Sequence, residues 1–147
     1  MNKIKNTKGF TLMEMLIVVA IIAVLVAIAI PTFTTSLNKA RVATDQANIR
    51  SGYAAVMAEV LSKDYAESND NSTATGATYK LYTDGSVAKT TETVTGKTEY
   101  KCFGNVGDKD TSNVIAGQTV DKWKKNATVT YVYEAEKNTV KITVTNP

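Results

Sequence analysis

The chain has 147 residues, enough for one domain, with a formal net charge of +3, no histidine, one cysteine and 7% aromatic residues. Lys3, Lys5 and Lys8 account for the whole excess of positive charge, and a chain neutral beyond its first nine residues is not built to displace counterions from a phosphate backbone. The missing histidines exclude imidazole acid–base chemistry and imidazole metal ligands, and the lone Cys102 excludes an internal disulfide and a cysteine-rich zinc site.

After the lysines, Met15 to Ile30 form sixteen residues without a charge or a hydroxyl, and the apolar stretch starts at Phe10 with Glu14 as its one charge. The 21 residues from Phe10 to Ile30 rise about 30 Å as a helix, the thickness of a bilayer core. The lysines ahead of this run place residues 1–9 in the cytoplasm and the remainder outside, a single span with its C-terminus out. Two plainer readings compete. Ala27-Ile28-Ala29 imitates the cleavage site of an ordinary secretory signal, but the run is long for one, a carboxylate sits inside it and Pro31 would lie just past the cut. A generic signal anchor explains the length and the lysines but assigns no role to Glu14.

The stretch Lys8-Gly9-Phe10-Thr11-Leu12-Met13-Glu14-Met15-Leu16-Ile17, followed by the apolar run and Pro31, resembles the class III signal sequence of type IV pilins and pseudopilins. The resemblance covers residues 3–31. It implies that a prepilin peptidase cuts after Gly9 and methylates the new N-terminus at Phe10, and that Glu14 and Pro31 serve assembly. It further implies a helical homo-oligomeric filament, an assembly platform and its ATPases as partners, residence in the cytoplasmic membrane before assembly and an extracellular filament afterwards, with no cofactor, no enzymatic activity and no nucleic acid. Glu14 has a physical rationale: a carboxylate one helical turn past Phe10 tolerates a dry bundle of helices only beside a positive partner, and a neighbour's N-terminal amine supplies one. Many relatives carry a glycine within the apolar run where this chain has Ala23, so local loosening of the helix rests on Pro31 alone.

Past Pro31 the helical pattern continues. Val42, Ile49, Tyr53, Val56 and Val60 form one stripe, with Lys39, Arg41, Asp45, Gln46, Asn48, Arg50 and Glu59 assigned to the wet side. One helix from Phe10 to Lys63, kinked at Pro31 and about 80 Å long, is expected. Gly52 within it is either a mild cost or a point of close packing. Asp64 to Ala77 is a polar loop. Thr78–Thr83 and Val87–Thr91 flank Asp84-Gly85-Ser86 as a hairpin, another strand is expected over Glu99–Phe103, and Thr128–Glu134 pairs with Thr139–Thr145, where Val140, Ile142 and Val144 alternate with polar residues. The fold class is therefore α+β, a long N-terminal helix on a C-terminal antiparallel sheet, pilin-like. Its expected organisation is a leader at 1–9, a transmembrane or filament-core helix at 10–37 and a globular head at 38–147.

Other motifs carry little. Thr91 to Thr98 imitates a phosphate loop without its first glycine, and Ser36-Leu37-Asn38-Lys39 imitates an S-x-x-K nucleophile without partners. Asp108 and Asp110 are weak calcium candidates because the glycine and terminal glutamate of an EF-hand are missing. Asn71-Ser72-Thr73 and Asn126-Ala127-Thr128 fit the glycosylation triplet, Cys102 reads as a small core residue and Trp123 as a core anchor under a basic loop. The expected function is a structural subunit of a pilus used for adhesion, aggregation or motility. The alternatives are a pseudopilin of a secretion or DNA-uptake system and a membrane-anchored binding protein that never polymerises.

Overall fold

A computed structural model of the chain describes residues 9–66, 76–107, 113–134 and 137–147. One helix, α1, runs from Leu12–Ala66 with Pro31 inside it, and the strands are β1 (Thr78–Leu81), β2 (Val87–Lys89), β3 (Val114–Ile115), β4 (Gln118–Thr119), β5 (Thr128–Glu134) and β6 (Thr139–Thr145). The chain divides into two compact units, Met1–Leu37 and Asn38–Pro147.

In the first unit α1 is apolar on all sides. Large hydrophobic side chains from Leu12 through Phe33 lie exposed around it, and the helix is long and apolar enough to cross a membrane. Pro31 has no N–H to donate one turn back. Nearby threonine hydroxyls supply other donors to the local carbonyls: Thr32 to Ile28 at 3.2 Å, and Thr34 and Thr35 to Pro31 at 3.0 Å each.

The second unit is a small α+β domain. Its four-stranded antiparallel sheet has the order β2-β1-β5-β6, with Tyr79 opposite Tyr131 and Tyr131 opposite Ile142. On β5 and β6 the expected alternation holds: Val129, Tyr131, Tyr133, Val140, Ile142 and Val144 point into the core with Val42, Ile49, Val56 and Val60 of α1. Two glycines set the approach of the layers. A Cβ on Gly52 would meet Tyr131 Cζ at 2.8 Å and Leu81 Cδ1 at 2.9 Å, so Gly52 is a point of close packing. Tyr131 enters there and donates its hydroxyl to the Ile49 carbonyl at 2.9 Å. A Cβ on Gly104 would meet the Val42 backbone nitrogen at 2.7 Å.

Two expectations need correction, and one element is unforeseen. The Glu99–Phe103 segment forms no named strand, only single bridges, Tyr82 to Glu99 and Lys101 to Thr128, because the N–H groups of Phe103 and Gly104 donate to a side chain, Asp45, rather than to a neighbouring strand. Asp45 itself is fully buried, not on the wet side. It lies three residues after Val42 and four before Ile49, so helix geometry puts it on the stripe those residues define. The hairpin of β3 and β4 was not expected at all. Its two-residue strands are too short to alternate, and its turn is made by Ala116 and Gly117 at φ of 50° and 78°, both left-handed as a two-residue type I′ connection requires.

Candidate assembly segment

The segment singled out by the sequence opens with Gly9 and Phe10, both exposed and ahead of the helix; Phe10 is 78% exposed. Glu14 sits in the first turn of α1. The Thr11 backbone N–H donates to Glu14 Oε2 at 2.8 Å, the Thr11 hydroxyl donates to the same oxygen at 2.9 Å, and the Glu14 N–H donates back to Thr11 Oγ1 at 3.3 Å. This is a capping box: Thr11 caps the helix and the glutamate three residues on reaches back to the cap's own N–H. Glu14 therefore has a role within one chain that the sequence reading missed, although Thr-x-x-Glu ahead of an apolar run is the signal that finds it. One oxygen, Oε2, carries both bonds to Thr11. A negative charge here also complements the partial positive charge of the helix N-terminus.

Glu14 and Pro31 stand 17 residues apart on the one helix, so the two processing candidates, Gly9 and Phe10, and the two assembly candidates lie in a single continuous element and its lead-in. Between them the surface is almost wholly apolar. One shallow hollow is lined by Leu16, Ile17, Ala20, Ile21, Val24 and Leu25, and another by Leu12, Met15, Leu16, Val19, Ala20 and Ala23. Small alanines beside larger aliphatic residues leave grooves that the side chains of a second helix can enter.

Residues 4–30 match the prokaryotic N-terminal methylation motif. The match is confined to the N-terminal segment, which carries this motif. It is 50% identical over 52 residues to the type IV narrow pilus major component PilA5 of Thermus thermophilus, a match covering 33% of this chain and 45% of that protein. The chain thus matches less than half of that relative's length. No solved structure matches it.

The other candidates fall away from this segment. Asp108 and Asp110 lie outside the described residues, as does Asn71. No group of three His, Cys, Asp or Glu able to hold a metal occurs among the described residues. Asn126 is exposed at φ 71°. Trp123 is fully buried and Cys102 is 1% exposed, as their sequence context suggested, and burial pushes the Cys102 thiol up to about 12.

The second polar centre of the molecule is the one that sequence reasoning placed in water. Asp45 accepts from the Tyr100 hydroxyl at 2.6 Å, the Phe103 N–H at 2.9 Å, the Gly104 N–H at 2.8 Å and the Trp123 indole N–H at 3.1 Å. Among the described residues no cation pairs with it; dipoles alone compensate the buried charge. The arrangement ties α1 to two separate loops. Desolvation, together with the Asp45 charge beside it, holds the Tyr100 hydroxyl above the usual phenol range.

Proposed function

We propose that the chain is a structural subunit of a type IV pilus. In this reading a prepilin peptidase cuts it between Gly9 and Phe10 and methylates Phe10, and the mature chain waits in the cytoplasmic membrane on residues 10–37 with its head, residues 38–147, outside. Copies then assemble on a platform driven by ATPases, bundling their N-terminal helices into the core of an extracellular filament for adhesion, aggregation or motility. The observation that carries the reading is a methylation-motif N-terminus, residues 4–30, opening a helix whose apolar side chains are exposed on every side. Such a surface is stable in lipid or against other copies of itself, not in water.

Glu14 acts in two ways in this scheme. In the single chain it closes the cap with Thr11. In the filament it faces the methylated amine of a neighbour's Phe10, which compensates its charge once lipid and water are gone. Intact mass of the surface material tests the processing step: the expected product is 138 residues starting at Phe10 plus one methyl. A product starting at Ile30 would instead identify a secretory signal cut after Ala29 and end the pilin reading. Electron microscopy with antibody to the head then separates long filaments from the short envelope-bound stubs of a pseudopilin and from the diffuse label of an unpolymerised binding protein.

A further inference from the structure

Beyond the leader the chain has no net charge, yet its cations are unevenly placed. From Lys101 to Gly107 exposed and buried residues alternate, so Lys101, Phe103 and Asn105 share one outward face while Cys102, Gly104 and Val106 point into the core. Asn105 binds this strip to two neighbours. Its side-chain oxygen accepts from the Lys125 N–H at 2.8 Å, and it exchanges two hydrogen bonds with Asn38, at 2.8 and 2.9 Å. Lys39 follows Asn38, and Arg41 precedes Val42, against whose backbone Gly104 is packed. Lys39, Arg41, Lys101, Lys124 and Lys125 are all exposed. Among the described residues, Lys80, Lys97 and Lys137 of this unit form ion pairs. Of the side-chain carboxylates in the described parts of these segments, Asp45 is buried and only Asp121 is exposed.

On the same outward strip as Lys101, Phe103 is 50% exposed and firmly held. Its N–H donates to both oxygens of Asp45, at 2.9 and 3.1 Å, and its ring meets Tyr100 edge-on at 5.8 Å. An aromatic ring among lysines is the composition of surfaces that sit at the headgroup level of a membrane. We infer that this face, formed by Lys39, Arg41, Lys101, Phe103, Lys124 and Lys125, docks on the anionic phospholipid headgroups of the outer leaflet before the subunit is extracted. The inference rests on the membrane-anchored stage of the proposed function. Lys39 is nine residues past Ile30, the end of the apolar run, so the anchor keeps the headgroup layer at high effective concentration for this face. A second copy presenting the same face would bring like charge against it.

The test uses the full chain reconstituted into vesicles of neutral phosphatidylcholine, or of phosphatidylcholine with about a third phosphatidylglycerol, followed by lysine acetylation read residue by residue by mass spectrometry. Retention on both vesicle types through a carbonate wash establishes the anchor separately. The expected result is slowing of Lys101, Lys124 and Lys125 on the order of fivefold in anionic vesicles, from the attraction each basic residue feels near such a surface. Half-molar salt should abolish the slowing because the screening length becomes a few ångströms, and Lys141, exposed on β6, should label equally in both. Equal labelling of the three lysines in both vesicle types, with the protein still retained, overturns the proposal and leaves the pilus reading standing. Protection that is the same in both lipids and grows with protein density also overturns it, and identifies a second copy as the occupant. Loss of the protein from both vesicle types defeats the anchor reading and the proposal with it.

Discussion

Replacing Asp45 by asparagine keeps the shape of the side chain but turns one of its two acceptor oxygens into a donor. One carboxylate oxygen serves Gly104 N–H and the Trp123 indole, at 2.8 and 3.1 Å, and the other serves the Tyr100 hydroxyl at 2.6 Å. If the amide nitrogen takes the first position, two buried N–H groups lose their acceptor and face a donor. If it takes the second, the Tyr100 hydroxyl must reverse and Phe103 N–H keeps only its longer contact, 3.1 Å. Each buried donor left without a partner costs about 1–3 kcal/mol, so even the better orientation, which orphans the Tyr100 hydroxyl and weakens the Phe103 bond, should cost about 2–3 kcal/mol. For a domain of this size that lowers Tm by about 10 °C. Trp123 is the chain's one tryptophan, so urea unfolding of the full chain in detergent, followed by its fluorescence, reports on the head alone. Tyr100→Phe removes one donor and orphans no backbone group. Its loss should be near 1 kcal/mol, since Asp45 retains three other donors. A loss below about 1 kcal/mol for Asp45→Asn would refute the view that these bonds hold the loops to α1.

Glu14→Gln can keep the cap while removing the charge, and Glu14→Ala removes both. Charge pairing predicts that both lose surface filament alike while processing and insertion survive, whereas loss in the alanine strain alone would assign the effect to the cap with Thr11. Gly104→Ala forces a methyl to within 2.7 Å of the Val42 backbone nitrogen and should destabilise the head by about 1–3 kcal/mol in the same urea assay. The Cys102 thiol, pushed up to about 12 by burial, should resist alkylation in the native protein at pH 8 and react on unfolding. Its raised value also sets a sign: the folded state retains a proton that the unfolded thiol gives up from about pH 9. Stability is therefore full below pH 9 and declines toward pH 12, which thermal melts across that range should show, with the buried Tyr131 hydroxyl, also shifted upward by desolvation, acting in the same direction.

The parts of this chain that were legible in its sequence are those with enough residues to show a period. The 55-residue α1 and the seven-residue strands β5 and β6 repeat their apolar positions often enough for helix and strand to be told apart. The Asp84-Gly85-Ser86 turn was legible through its glycine, at φ 80°. Hidden features were those made by single residues. Asp45 lay in plain sight on the Val42, Ile49, Val56 stripe, but its charge outweighed its position, and nothing local to Phe103 and Gly104 announces that their N–H groups will be answered by a side chain more than 50 positions earlier. The β3–β4 hairpin has two residues per strand, below the length at which alternation exists. In the candidate assembly segment the N-terminal methylation motif was legible because it is contiguous. The capping box was overlooked because one residue, Glu14, answers to two patterns at once.

A head without a disulfide must fix its loops by other means, and here polar side chains do it in pairs. Asp45 joins α1 to the 100–104 and Trp123 segments, while Asn38 and Asn105 join the same helix to the next stretch of both. Asn146, one residue from the C-terminus, accepts from the Lys124 N–H at 2.8 Å and donates to the Lys122 carbonyl at 3.1 Å. A disulfide acts largely by restricting the unfolded chain. These contacts instead act only in the folded state, and those to Asp45 satisfy the Phe103 and Gly104 N–H groups, which no strand partner answers. Their strength is cooperative with the core around them, because the low dielectric that Trp123 and Tyr100 create is what makes the Asp45 bonds strong. Opening either loop would wet the carboxylate and weaken the other loop's hold as well. The 100–107 face, with Phe103 at its centre, therefore either keeps its shape as a unit or loses it as a unit.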